Sequence, residues 1–242
     1  DFGSINGGYN ITFVYPAPGC PSAPKQVTVT VNIPVTITTQ PVNAAVCTDK
    51  VTSFTVIAAG TTPTYRWQVS TDNGNNFANV SNGGVYAGAT TATLTITAPP
   101  VSMNGYLYRC MVSGAAPCVA VNSAHRLLTV NPLPTITISA SLYKKLFPGL
   151  KTTLSSSVSP AASSYTWLRN GNAVANGNAG SLIVDIDGLG DYSLRVTDVN
   201  GCSNTSGIVS ITDSVSGKVF IYPNPNSGQF QVRYYSIINN TG

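Results

Sequence analysis

The chain has 242 residues and only 8% of them are charged: 12 Lys and Arg against eight acids, all of them Asp, with a single histidine, His125. Glu is absent while Thr, Ser, Val, Asn, Gly and Pro fill every segment, so a helical protein is excluded and an all-β chain is expected. One His and scattered Asp leave little material for acid–base or metal chemistry, and no catalytic residue, metal site or cofactor is expected. The net charge of +4 is carried by single residues, with only Lys144-Lys145 adjacent, which argues against a phosphate-tracking stripe and a nucleic-acid partner. No apolar run approaches the roughly 20 residues of a transmembrane helix. No Gly-x-Ser-x-Gly, His-Glu-x-x-His or Walker-type glycine loop occurs.

In chain order, the sequence starts at Asp1 without Met or a signal peptide and reads as a processed product or a fragment. Residues 1–33 hold two strand-like stretches, Gly8 to Phe13 and Gln26 to Val31. Two strands cannot stand alone in water, so they are expected to be the C-terminal strands of a preceding domain, completed by upstream sequence or by another chain. A period of 100 follows. Tyr65-Arg66-Trp67 recurs as Tyr165-Thr166-Trp167, and the Pro-bearing stretch around Pro34 recurs around Pro134. The prolines read as short extended linkers bounding two units, 36–131 and 135–213.

In the first unit strands are predicted at 53–57, 64–69, 92–96, 106–112 and 126–130 from period-2 alternation. Asp72-Asn73-Gly74 and Asn82-Gly83-Gly84 supply the reversals between them. The second unit repeats the pattern at 152–158, 164–169, 181–186, 191–198 and 207–212. Five to seven short antiparallel strands in a hundred residues, with turns about ten residues apart, predict a two-sheet sandwich.

The residues then carry a likeness. A Trp on the third strand, at Trp67 and Trp167, followed by a Gly-containing turn and a Tyr-bearing strand at Asn104 to Cys110 and Gly190 to Leu194, resembles the immunoglobulin-like fold. The resemblance implies a tyrosine-corner residue at Tyr106 or Tyr108, and at Tyr192. The first unit is similar to the Ig-like repeats of large Bacteroidota surface proteins, through Trp67 to Thr71 and Asn104 to Cys110. The second, ending in Asp198-Val199-Asn200-Gly201-Cys202, is similar to the shorter Ig-like or PKD-like modules of the same proteins. In that frame the second-strand cysteine of antibody domains falls near Val56, so Cys110 lacks its usual partner. A hairpin disulfide Cys110–Cys118 is favoured, with a Cys47–Cys202 bridge and free thiols as the alternatives; Cys20 makes the count of five odd.

Residues 216–242 resemble the opening of the type A C-terminal sorting domain of the type IX secretion system, through Tyr222, Pro223, Asn224 and Pro225, then Gly228 and Phe230. The resemblance implies export across the outer membrane by that machinery and an extracellular or outer-surface location. Asp213-Ser214-Val215 resembles the O-glycosylation motif of the same bacteria, with Ser214 as acceptor.

Other candidate sites have plainer readings. Asp185, Asp187 and Asp191 offer Ca²⁺ ligands, but a polar turn explains them better. His125 reads as a surface strand residue. Tyr86, Tyr143, Tyr234 and Tyr235 are candidates for stacking on sugars. The expected function is therefore that of a non-enzymatic, secreted adhesin or stalk of tandem Ig-like repeats, with surface polysaccharide or a host or cell-surface ligand as candidate partner. Two alternatives are kept: the accessory region of a secreted hydrolase with an upstream catalytic domain, and a homopolymer, a filament subunit joined by strand addition.

Overall fold

The computed structural model describes residues 32–116 and 118–214 in full, and the backbone of short paired strands at Gly7–Phe13, Pro16–Ala17, Cys20–Pro21, Lys25–Val31, Phe220–Tyr222 and Gln231–Arg233. Gly7–Phe13 pairs antiparallel with Lys25–Val31, and Phe220–Tyr222 with Gln231–Arg233. The chain divides into two compact units, Asp1–Asn131 and Pro132–Gly242.

In the first unit one sheet runs in the order Ala78–Asn79, Thr64–Ser70, Leu107–Ser113, Arg126–Asn131, Ala44–Cys47. The last pair is parallel, with Leu128 opposite Ala44 and Asn131 opposite Cys47. The facing sheet joins Tyr86–Ala87, Thr93–Thr97 and Val51–Thr55, and the continuation Ile57–Ala59 pairs with Thr36–Thr39. The first strand thus serves both sheets and must break between them. Pro41 makes the break, since it has no N–H for either ladder. Neighbouring amides fill the gap: Gln40 Oε1 accepts from the Ala124 N–H at 2.9 Å and Asn43 Oδ1 from the Leu127 N–H at 3.0 Å. Alternation along Thr64–Ser70 and Leu107–Ser113 sends Trp67, Tyr108, Cys110 and Val112 inward. There they meet Phe54, Val56, Leu94 and Ile96 of the other sheet in a single apolar cluster.

The second unit repeats the plan with fewer strands. Thr135–Ala140, Thr152–Ser159 and Ser181–Val184 form one sheet. The other runs Lys145–Leu146, Val209–Asp213, Gly190–Asp198, Ala162–Arg169, Asn172–Ala173, again with a parallel pair where Lys145–Leu146 meets Val209–Asp213. Trp167, Leu194, Val196, Leu154 and Ile211 fill its separate core. Two sheets face to face, with a first strand split between them and a parallel closing pair, make each unit an immunoglobulin-like β-sandwich, and the fold class is all-β as the composition and period indicated. The predicted strand at 181–186 stops at Val184, because Asp185 Oδ1 accepts from the Asp187 N–H and turns the chain into a 3₁₀ segment, Ile186–Gly188.

The two tryptophans are pinned in the same way. Trp67 N–H donates to Ala89 O and its Nε1 to Thr91 O, both at 2.9 Å, while its carbonyl accepts from Val80. Trp167 N–H donates to Gly177 O and its Nε1 to Ala179 O, both at 2.9 Å, while its carbonyl accepts from Val174. Each ring therefore leaves no buried donor unsatisfied. The loop that does this in the first unit needs Gly88: its φ is +77°, and a Cβ there would meet Thr93 O at 2.2 Å.

Candidate functional site

Register against the tryptophan strand places Tyr108 opposite Val69 and Tyr192 opposite Arg169, so these two tyrosines occupy the same place in their sandwiches. Their hydroxyls do different things. Tyr192 donates to Gly188 O, four residues upstream, which is tyrosine-corner geometry. Tyr108 instead shares a hydrogen bond of 2.8 Å with the Tyr86 hydroxyl and stacks on Phe54 with ring centroids 5.0 Å apart. Burial, then the Tyr86 hydroxyl, pushes the Tyr108 phenol well above its ordinary value. Tyr106 is only half-buried at the edge of the same core. Tyr86 is thereby a structural partner with its hydroxyl engaged, not an exposed sugar platform; Tyr143 is 49% exposed, and Tyr234 and Tyr235 lie outside the described residues.

The expected Cys110–Cys118 disulfide is not formed: both are thiols. Cys110 lies opposite Trp67 with no exposed surface, and its strand runs three more residues, about 10 Å, before the loop that carries Cys118 begins. That is beyond the Cα reach of a disulfide. Burial pushes the Cys110 thiol up to about 11, and it packs as a small apolar side chain where the second unit has Leu194. A maleimide is therefore expected to label Cys118 in the native chain and to spare Cys110. Peptide mapping that found Cys110 labelled, or found a Cys110–Cys118 cross-link, would contradict this. Cys47 in the first unit is disulfide-bonded, as is Cys202 in the second.

The three candidate calcium ligands do not converge. Asp185 caps the 3₁₀ turn and Asp191 Oδ1 accepts from the Ser210 hydroxyl at 2.6 Å. Among the described residues no group of three or more His, Cys or Asp side chains could hold a metal. Ser214 is half-exposed just past the last strand, its N–H bonded to Leu146 O at 2.7 Å. Of the sorting string, only the Tyr222 backbone is described; Pro223, Asn224, Pro225, Gly228 and Phe230 lie outside the described residues. Among the described residues no helix is long and apolar enough to cross a membrane.

The Asp72 turn illustrates local order on this fold. Asp72 Oδ1 accepts from the Asn76 N–H at 2.9 Å and the Ser70 hydroxyl at 2.7 Å, and Oδ2 from the Asn76 amide at 2.7 Å. These donors, the Asn76 N–H first, hold the carboxyl down to about 2. Because the folded value lies below the usual 3.8, the turn's stabilisation is complete above the unfolded value and is lost as pH falls through about 2. Carboxyl-carbon NMR should show Asp72 titrating near pH 2; a midpoint near 3.8 would refute the turn.

Beside that turn lies a cluster that sequence reading missed. On the outer face of the larger sheet, Arg109 Nε donates to Gln68 Oε1 at 2.8 Å, and its Cζ sits 3.9 Å from the Phe77 ring centroid. Gln68 Nε2 donates to Asn79 Oδ1 at 3.0 Å, and the Phe77 and His125 rings are 6.1 Å apart. His125 is exposed and precedes the Arg126–Asn131 strand instead of lying on it. The only signal in the sequence was the out-facing position of Gln68 and Arg109 in their alternating strands.

Residues 36–132 match a family described as Domain of unknown function (DUF8696). No curated protein matches the chain. Among solved structures the chain is similar to the E-to-A variant of titin domains I67-I69, with 18% identity, a TM-score of 0.44 and coverage of 75% of this chain and 66% of that one. It is also similar to the N-terminal four Ig domains of Dscam1 isoform 7.44, with 14% identity, a TM-score of 0.40 and coverage of 76% of this chain and 46% of that one. The chain thus spans less than half of that Dscam1 structure.

Proposed function

We propose that the chain is part of a non-enzymatic extracellular surface protein, an adhesin or spacer in which tandem Ig-like sandwiches carry load and present their faces, and that the type IX secretion system exports it. The observation that carries this reading is the repetition of one self-contained sandwich design, each copy with its own buried core. Its closing strands run parallel, Ala44–Cys47 beside Arg126–Asn131 and Lys145–Leu146 beside Val209–Asp213. Tension between a sandwich's two ends then loads several hydrogen bonds together in shear, which suits a spacer. The disulfide-bonded Cys47 and Cys202 suit an oxidising environment outside the cytoplasm. The export route rests on the resemblance of Tyr222 to Phe230 to a sorting domain, with the secretion machinery as partner, and Ser214 is proposed as a glycan acceptor.

Antibody raised against residues 36–213 tests the proposal. It should label intact cells of the source bacterium, and deleting an outer-membrane component of the type IX system should move the antigen into the periplasm. A cytoplasmic antigen, or surface labelling unaffected by the deletion, would refute the export reading.

A further inference from the structure

We propose that the outer face of the first unit's larger sheet binds acidic polysaccharide through a carboxylate-recognition site centred on Arg109. The proposal rests on the surface-protein reading and adds a ligand class to it. Four observations lead there. Arg109 points away from the core, because Tyr108 and Cys110 on either side of it point in with no exposed surface. Its guanidinium is held in place by the Nε bond to Gln68 and by its seat over the Phe77 ring. The opposite edge, Nη1 and Nη2, makes no hydrogen bond or ion pair with any described residue. That edge presents two parallel N–H bonds with which a guanidinium grips a carboxylate.

Charge on the unit points the same way. The acids within 36–131 are Asp49 and Asp72. Asp49 pairs with Lys50 at 2.7 Å, and Asp72 is taken up by Ser70 and Asn76. Neither neutralises Arg109, nor Arg66, which is exposed on the same face two residue pairs further along, Met111 being opposite it. The Gln68 and Asn79 amides beside the guanidinium offer donors and acceptors for sugar hydroxyls. The guanidinium is pre-organised before any ligand arrives, so little ordering opposes binding. The face is open and a single carboxylate would be held weakly; a polymer with regularly repeated carboxylates can engage Arg109 and Arg66 together and rebind quickly. An acidic polysaccharide has both the repeat and the hydroxyls.

Affinity electrophoresis of the purified chain in gels containing polygalacturonate tests this, with methyl-esterified pectin and dextran sulfate as comparison polymers. Polygalacturonate should retard the chain and the methyl ester should not. Arg109→Gln should weaken retention by about tenfold or more. Phe77→Leu keeps the charge but unpins the guanidinium, and should weaken it about threefold. Lys151→Gln, an exposed cation of the second unit, removes the same charge and should leave retention within about twofold. Equal retention by the methyl ester, undiminished retention of Arg109→Gln at unchanged circular dichroism, or stronger retention by dextran sulfate would each overturn the proposal. Because the assay uses purified chain, its failure leaves the surface location standing, and mislocalisation in cells leaves this result standing.

Discussion

Trp67→Ala is expected to cost the first sandwich about 3–5 kcal/mol, the range for deleting a fully buried Trp. A domain of this size has about 5–14 kcal/mol in hand, so a large share of its stability goes and its melting temperature falls by about 15 °C or more. The loss has two physical parts. The ring has no exposed surface and fills the centre of the cluster with Phe54 beside it at 6.3 Å between centroids, so its removal leaves a cavity. The Nε1 bond to Thr91 also goes, leaving a carbonyl in a part-buried loop without its partner. The chain has two Trp, so in this variant Trp167 fluorescence reports the second unit alone. Its core shares no residue with the first, and its unfolding free energy should stay within about 0.5 kcal/mol of the parent's. Trp167→Ala should do the converse. An urea titration in which both units shift equally in both variants would sink the picture of two separate cores.

The second large effect is expected at Asp198. This residue is 2% exposed, and its Oδ1 accepts from the Asn200 N–H at 2.8 Å and the Cys202 N–H at 2.9 Å. The reversal is closed further by the Asp198 N–H to Cys202 O bond at 2.9 Å, so a single carboxylate oxygen organises the turn. Asp198→Ala strands two N–H groups, one of them buried, and should cost about 2–4 kcal/mol in the second unit. Asp198→Asn keeps an acceptor at Oδ1. Its other oxygen, Oδ2, is buried with no hydrogen-bond partner among the described residues, so little is lost when it becomes an amide. The Asn variant should therefore retain clearly more stability than the Ala variant. Equal losses in a denaturant series would show that burial volume, not the capping bonds, is what Asp198 supplies.

Some of this was legible in residue order and some was not. The tryptophan strands were found because they combine a rare aromatic with clean alternation, and Trp67 and Trp167 turned out to share even their hydrogen-bonding pattern. The two-residue strands Ala78–Asn79, Tyr86–Ala87 and Asn172–Ala173 are too short for a period to register. The Ala44–Cys47 half of the first strand was missed as well, since Pro41 separates it from Thr36–Thr39 and the two halves belong to different sheets. Tyr108 and Tyr192 read alike, yet only the first unit has a Tyr86 strand to meet the hydroxyl, so the same position carries two different bonds.

Composition and alternation by themselves determined the all-β class and which face of each long strand is apolar, because those properties depend on neighbours one or two residues away, and the recurrence of the Trp and Pro landmarks 100 residues on marked the two units. Pairings between distant residues were decided only in three dimensions. Whether Cys110 could reach Cys118 depended on how far its strand ran before turning. Whether Arg109 was one more surface cation or a fixed donor depended on Gln68, 41 residues away, and on Phe77 arriving beside it from the neighbouring hairpin. Such contacts are set by sheet order and register, which local sequence restricts but does not select.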